Sequence, residues 1–296
     1  MLNRYKIFFV SLSTITTIIQ ANNMESLFVQ DISKSTLMTS QKSFESGTHE
    51  LKNKDDEIQT LFVAFGYNFE SNTNYNFFVN ASVGLSSYNT NNPSAGLVGD
   101  NADIDSMVAE LGGGLRYKIN PESYLSIGAS LIYSDFKTNY IHNNDMKKDD
   151  KKIIDNLYTN SSDALTYKTA LSYDYNKTIN NHNAYLKSSL AYYNTEVDNL
   201  FETSSSVLSY LKIGVYSPEL LKILNLPFKT EVYLQETLLG GDISDNMDMD
   251  NFTTVGMAFH LYTNTIVPLV DNVYFDANYV TGDNIDAVHL GVSMSF

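Results

Sequence analysis

The chain has 296 residues with a formal net charge of -15; Tyr (21) and Phe (16) are abundant, Pro is sparse at 5, and Trp and Cys are absent. Without cysteine there are no disulfides, thiol nucleophiles, thiolate zinc sites or lipid-anchored cysteine. The acidic balance argues against a nucleic-acid partner, because phosphate neutralisation needs a basic face and no Lys/Arg cluster with interleaved aromatics occurs.

At the N-terminus, Arg4 and Lys6 precede an apolar stretch from Ile7 to Ile19, and Ala21 offers a small residue for cleavage. The pattern predicts a cleaved export signal over 1–21, with a retained anchor as the alternative. The stretch is too short to span a bilayer comfortably, and no other run approaches the ~18 apolar residues of a transmembrane helix. Membrane insertion is therefore expected through strands.

From Ile58 onward every second side chain is apolar over segments of about ten to fifteen residues, which is the period of a strand with two unlike faces. Eleven such segments are visible: Ile58 to Phe69, Asn74 to Tyr88, Ile104 to Ile119, Tyr124 to Phe136, Ala164 to Tyr175, Asn183 to Val197, Ser206 to Tyr216, Phe228 to Leu239, Phe252 to Tyr262, Asn272 to Thr281 and Ala287 to Phe296. In the last, Val288, Leu290, Val292, Met294 and Phe296 share one face, while His289, Gly291, Ser293 and Ser295 share the other. Sandwich strands average nearer six residues, whereas roughly 9–11 cross a bilayer at a tilt. Inside hydrocarbon every backbone polar group needs a partner, so the sheet must close. The expected fold is all-β, a transmembrane antiparallel up-and-down barrel over 58–296.

Bacterial barrels have short periplasmic turns and longer outer loops. Counting back from Phe296, the inner connections include Glu70 to Thr73, Asn120 to Ser123 and Asn176 to His182, and the outer ones include Asn89 to Asp103, Lys137 to Asp163 and Gly240 to Asn251. Ser217 to Pro227 on the inner side and Gly282 to Asn284 on the outer side depart from this asymmetry. Glu219 to Leu226 is read as a short interfacial helix or a packed turn. The basic run Lys147, Lys148, Lys151 and Lys152 is interrupted by Asp149 and Asp150 and reads as a solvated loop. If both ends of the barrel lie in the periplasm, an upward strand precedes Ile58, making twelve. Its best location is within Glu25 to Phe44, with a helix inserted in the pore as the competing expectation for 22–57.

Aromatics at strand ends, among them Tyr67, Phe69, Tyr75, Tyr117, Tyr133, Tyr173, Tyr192, Phe228 and Phe296, would form the two headgroup girdles. Parity places Glu110, Arg116, Lys118, Lys168, Asp174, Lys187, Lys212, Lys229, Glu231, His260, Asp276 and His289 toward the lumen. They form either a charge-lined aqueous path or a network of ion pairs that stiffens a narrow barrel, since facing pairs depend on register and shear. The Lys/Arg excess favours anionic solutes.

Asp242, Asp245, Asp248 and Asp250, with Asp100, Asp103 and Asp105, gather in outer loops. Their spacing lacks the Gly and Glu positions of an EF-hand, so a solvated surface is expected and no metal. His260, His289, Ser293 and Asp276 are the residues to inspect for catalysis. His289 and Ser293, four apart on a strand, stand about 13 Å apart at ~3.3 Å rise and cannot form a dyad. Gly112-Gly113-Gly114 marks close packing or a bend inside a strand. No catalytic activity, metal or cofactor is expected.

The ending Val288-His289-Leu290-Gly291-Val292-Ser293-Met294-Ser295-Phe296, together with the hairpin from Gly112-Gly113-Gly114-Leu115-Arg116-Tyr117-Lys118-Ile119 to Tyr124-Leu125-Ser126-Ile127-Gly128-Ala129, resembles the translocator β-domain of autotransporters over roughly Ile58 to Phe296. The resemblance is to the solitary form, since Asn22 to Glu57 is linker length and not a passenger domain. It implies a twelve-stranded outer-membrane barrel whose last strand, ending in Phe296, is read by the barrel assembly machinery. The expected location is the outer membrane, with lipid and lipopolysaccharide as surroundings and small solutes as candidate ligands. A small-solute porin is the alternative function.

Overall fold

The computed structural model describes residues 29–37, 47–51, 56–69, 73–90, 101–141, 162–198, 200, 202–263 and 272–295. The export segment over 1–21, the Lys147 to Lys152 run, Asp100 and Phe296 lie outside the described residues. Thirteen strands are present: β1 (Gly47–Leu51), β2 (Asp56–Phe69), β3 (Tyr75–Thr90), β4 (Asn101–Asn120), β5 (Ser123–Ile141), β6 (Ser162–Ile179), β7 (His182–Val197), β8 (Thr203–Tyr216), β9 (Leu221–Ile223), β10 (Leu226–Gly241), β11 (Asn251–Tyr262), β12 (Asn272–Gly282) and β13 (Asp286–Ser295). Helix α1 covers 29–37 and α2 covers Asp242–Met247.

All pairings are antiparallel, and the order closes on itself: β1 pairs with β2 and with β13, and β10 pairs with both β8 and β11. Twelve strands make the ring, and β9 is a short appendage on β10. Along β1, which pairs Asp56 to Thr60 of β2 and Asp286 to His289 of β13, closure supplies the partners that a strand edge in hydrocarbon needs. The eleven strands expected from alternation are β2 to β8 and β10 to β13, each within a few residues of its expected bounds.

The first strand departs from expectation. It is β1 at Gly47–Leu51, not within Glu25 to Phe44, where residues 29–37 are helical. A helix satisfies its own backbone hydrogen bonds, so it can occupy an enclosed lumen that offers no strand partner. Glu219 to Leu226 is likewise not a helix: Leu224 and Asn225, with φ of 53° and 67°, turn β9 back onto β10.

The connections fall at two ends. One end, hereafter the turn end, carries the two-residue turns Pro121–Glu122 and Asn180–Asn181 together with 70–74, 217–225 and 263–271; the loop end carries 52–55, 91–100, 142–161, 198–202, 242–250 and 283–285. The longer 263–271 connection is a third exception to the asymmetry, beside Ser217 to Pro227 and Gly282 to Asn284.

The distribution of side chains is the reverse of a water-soluble sandwich. Leu111 is 69% exposed, while its neighbour Glu110 is 5% exposed on the inner face. The exterior carries a band of exposed apolar side chains, Phe77, Val79, Val83 and Leu85 on β3 and Leu125, Ile127 and Leu131 on β5. A patch this extensive is foreign to soluble monomers and is the surface of a transmembrane barrel. Exposed Tyr67, Phe69 and Tyr75 mark the band's turn end, where Tyr75 and Tyr117 lie 4.9 Å apart, and Tyr133 and Tyr192 mark its loop end. On β4 the band stops at Met107 and gives way to exposed Asp105, so the strands stand proud of it at the loop end.

Several cross-strand pairs set a large aromatic directly opposite a glycine on the inner wall, among them Phe78 with Gly114, Tyr185 with Gly214, and Tyr233 with Gly256. A Cβ at Gly214 or Gly256 would fall within the ring of its tyrosine, whereas one at Gly66 would meet nothing closer than 3.9 Å. The glycines let the rings lie flat along the wall. Gly214→Val is expected to destabilise the barrel by about 1–3 kcal/mol through overpacking, and Gly66→Ala by much less; heat-modifiable migration of the folded protein across a temperature series measures both. Equal midpoints would show that the rings do not need the glycines.

Candidate functional site

The interior divides into two storeys. At the loop end many inward positions are apolar: Ile104 and Val108 on β4, Ile132 and Phe136 on β5, Leu208 on β8 and Leu239 on β10 are all buried. They pack against Val29, Ile32 and Leu37 of α1 and against Ile243, Met247 and Met249 in and after α2. Eight of the nine α1 residues, Val29 and 31–37, are fully or nearly buried. The sequence signal for this apolar upper lumen is the doubled hydrophobics Met107-Val108, Leu131-Ile132, Val207-Leu208 and Leu238-Leu239, where both faces are apolar at once.

The polar side chains of α1 reach the wall on several sides. Ser33 donates to Thr195 at 3.4 Å, Thr36 donates to Ser134 at 3.1 Å, and Ser35 lies 3.3 Å from both Ser86 and Ser106. Lys34, 1% exposed, donates to the Tyr88 hydroxyl at 2.5 Å and lies 3.9 Å from Asp31, which accepts from Asn246 at 3.3 Å. A buried cation is tolerable only with such partners. The connection 242–250 folds inward over the same end: Ser244, Asn246 and Met247 are buried, while Asp245, Asp248 and Asp250 stay exposed. Asp242 is held at the wall, accepting from the Ser205 N–H at 2.8 Å. Gly241 turns into α2 with φ of 74°, a conformation that favours glycine.

Beneath this plug lies a polar chamber of about 480 Å³. Of the twelve lumen candidates, Glu110, Arg116, Lys168, Asp174, Lys187 and Lys212 line it. Lys168 pairs with Glu110 at 3.0 Å, Asn80 donates to the same carboxylate at 3.3 Å, and Arg116 pairs with Asp174 at 3.1 Å beneath the Tyr124 ring. Glu231 is the hub of a third group: Lys212 lies 3.6 Å away, His260 Nε2 donates to it at 2.8 Å, and the Tyr185 hydroxyl donates as well. Asn272 donates to His260 Nδ1 at 2.7 Å, and Tyr216 and Tyr274 flank the imidazole. Asp276 accepts from the Tyr233 hydroxyl at 3.0 Å and from Asn278 at 2.6 Å. His289 is buried opposite Asn278 in the β12–β13 register. Lys118 is half-buried near the turn end, and Lys229 lies 5.1 Å from the Tyr262 ring.

Chemically, His260 has a carboxylate on one ring nitrogen and an amide on the other, with no serine or threonine hydroxyl bonded to either. Asp276 is engaged by Tyr233 and Asn278. The Ser293 side chain lies outside the described residues. Among the described residues no group of three or more His, Asp or Glu is arranged for a metal ion. Sequence parity could not name Tyr185, Tyr233 or Asn272 as partners, because these contacts follow from register.

Lys168→Met should leave the buried Glu110 carboxylate with only an amide donor, costing about 3 kcal/mol, the scale of a broken buried pair. Adding Glu110→Gln in the same chain is expected to recover most of that loss. Urea unfolding of the lipid-reconstituted protein measures both, and additive losses would mean the two side chains act independently.

No family model matches the sequence, and no curated protein does. Solved structures share its architecture. The β-domain of the Bordetella autotransporter BrkA aligns with a TM-score of 0.57 at 14% identity, over 85% of this chain and 96% of that one. The translocator domain of the autotransporter NalP from Neisseria meningitidis aligns with a TM-score of 0.53 at 13% identity, over 83% of each chain. The transport unit of the autotransporter AIDA-I from Escherichia coli gives 0.51 at 9% identity, over 93% of this chain and 99% of that one. At such identities the likeness speaks to fold, and nearly the whole of each domain takes part in it. This chain has the fold of an autotransporter translocator β-domain.

Proposed function

We propose that the protein is an integral outer-membrane β-barrel resembling an autotransporter β-domain, without catalytic activity, whose lumen is closed at its loop end by the helix at 29–37. The loop end faces the outside, and the turn end, with the end of β13, faces the periplasm. Lipid and lipopolysaccharide surround the apolar band, and the barrel assembly machinery reads the last strand, β13. The protein serves at the cell surface as a closed barrel.

The observation that carries the closed lumen is α1 itself. Val29, Ile32 and Leu37 are at most 1% exposed, and Ser33, Ser35, Thr36 and Lys34 bond to β3, β4, β5 and β7. A solute path would need water where these side chains stand. The engaged state of His260 and Asp276 supports the absence of hydrolytic chemistry, since a base needs a nucleophile within hydrogen-bond reach.

In planar bilayers the full chain is expected to show no stable open-channel current, and deletion of 29–37 to produce steady conductance steps. Stable current from the full chain, equal to that of the deletion, would favour a small-solute porin instead.

A further inference from the structure

The connection from β8 to β10 continues the wall past the turn end. Tyr216 stands opposite Asn183, near the start of β7, so the chain that follows it runs on beyond the β6–β7 turn. The Ser217 N–H donates to the Thr230 carbonyl at 2.8 Å, the Thr230 N–H donates to the Ser217 hydroxyl oxygen at 2.9 Å, and the Leu220 N–H donates to the Phe228 carbonyl at 3.0 Å. β9 then pairs with β10 from Leu221 opposite Phe228 to Ile223 opposite Leu226. These bonds make 217–228 an ordered hairpin.

Its side chains do not suit water. Leu220, Leu221 and Ile223 are 41% to 55% exposed, and Leu224 at the tip, at 81%, is the most exposed large hydrophobic among the described residues. Leu224 also holds φ of 53° beside Asn225 at 67°, a left-handed pair that costs a branched side chain and favours Asn or Gly. The turn Asn180–Asn181 at the same end has nearly the same φ values, 49° and 66°, and uses asparagine at both positions. Turn chemistry thus favours Asn at 224, and leucine gains no burial there. A residue that breaks both local rules marks a contact outside the chain.

Register says what that contact is. Leu221 shares the face of its cross-strand partner Phe228, Phe228 pairs with Leu261, and Leu261 pairs with Val273. All lie on the outward parity of exposed Val232, Met257 and Phe275, and the Phe228 and Phe259 rings stack there with centroids 6.1 Å apart. The apolar face of β9 is therefore the lateral continuation of the band that meets lipid. Its depth follows from the backbone. Among the described residues β9 pairs with β10 alone, and an open strand edge finds no partner in hydrocarbon. At headgroup level water satisfies that edge while the leucines reach the acyl boundary. The exposed Lys222, 4.0 Å from Glu219, carries a flexible ammonium that this level places among phosphates.

We infer that the hairpin 217–228 is an interfacial foot, whose Leu220, Leu221, Ile223 and Leu224 enter the phospholipid leaflet at the turn end and hold the barrel at a fixed depth. The inference rests on the barrel lying in a bilayer, as proposed above, and is independent of whether the lumen is closed.

The chain has no cysteine, so one introduced thiol labels one place. Leu224→Cys, Asn181→Cys and Ile127→Cys, each carrying the same nitroxide, are reconstituted in vesicles of phosphatidylethanolamine and phosphatidylglycerol, with heat-modifiable migration as proof of folding. Power-saturation EPR compares collisions with oxygen, which concentrates in lipid, and with a water-soluble nickel chelate. The label at 127, within the apolar band, reports insertion of the barrel and is expected to favour oxygen. The label at 224 is expected to show an oxygen-to-nickel ratio severalfold above that at 181, which the same turn geometry presents to water. Leu221→Cys takes the place of Leu224→Cys if that variant fails to fold. A tip as open to nickel as 181, with 127 in lipid, overturns the foot alone and favours a water-borne protein as its occupant. Equal lipid contact at 181 overturns it too, since the label and not the leucines would be seeking lipid. A label at 127 open to nickel overturns the membrane reading on which the foot rests.

Discussion

Everything in this molecule depends on the hydrogen-bonding demand of the strand backbone. A strand in hydrocarbon must be paired on both sides, and here β1 joins the loop-end part of β13 to that of β2, over Asp286 to His289 and Asp56 to Thr60. Once the ring is closed, the outer face can be apolar along the whole band, because nothing but lipid meets it. The inner face is then cut off from most solvent, and each inward polar side chain has to find its partner inside the barrel. Glu110 with Lys168 and Arg116 with Asp174 do so along the wall, from β4 to β6 past the intervening β5.

Eleven strands were legible because a period of two survives any register: the sequence pattern on β3, with Phe77, Val79, Val83 and Leu85 on one face, needs no partner to be recognised. β1 was not legible, since five residues show too little alternation to stand out. Helix α1 was only an alternative because Val29, Ile32 and Leu37 are too sparsely spaced among Ser and Thr to raise a clear helical face. Its hydroxyls make sense only once Ser86, Ser106, Ser134 and Thr195 are known to ring it. The lumen partners were illegible for another reason: parity tells which face a residue takes, while register and shear decide whom it meets. The doubled hydrophobics on β4, β5, β8 and β10 did carry information about the plug, since an apolar inward position announces an apolar occupant.

The pairing of aromatic rings with glycines belongs to the same economy of space. With twelve strands the lumen is narrow, and Tyr185 and Tyr233 bring large rings to its wall while still delivering their hydroxyls to Glu231 and Asp276. Lying flat over Gly214 and Gly256, they fill little of the cross-section. Replacing each tyrosine by a smaller residue would free volume but leave a buried carboxylate short of a donor, a costlier defect than the void.

The division of the interior into a more apolar storey and a charged one matches the reach of the described helical residues 29–37. Nine helical residues extend about 14 Å at 1.5 Å rise, whereas a strand the length of β4, with 20 residues, stands about 50 Å tall at the usual barrel tilt. Whatever its inclination, such a helix can fill only part of the lumen. The wall composition changes where the helix can no longer reach: inward Ile104 and Val108 on β4 give way to Glu110 and Arg116 on the same strand. An apolar wall without an apolar occupant would be a dry void, and a charged wall pressed against one would strand its charges, so the helix and the strands must have matched their boundaries. The charged wall of the chamber thus begins on β4 below the level that the helical residues 29–37 fill.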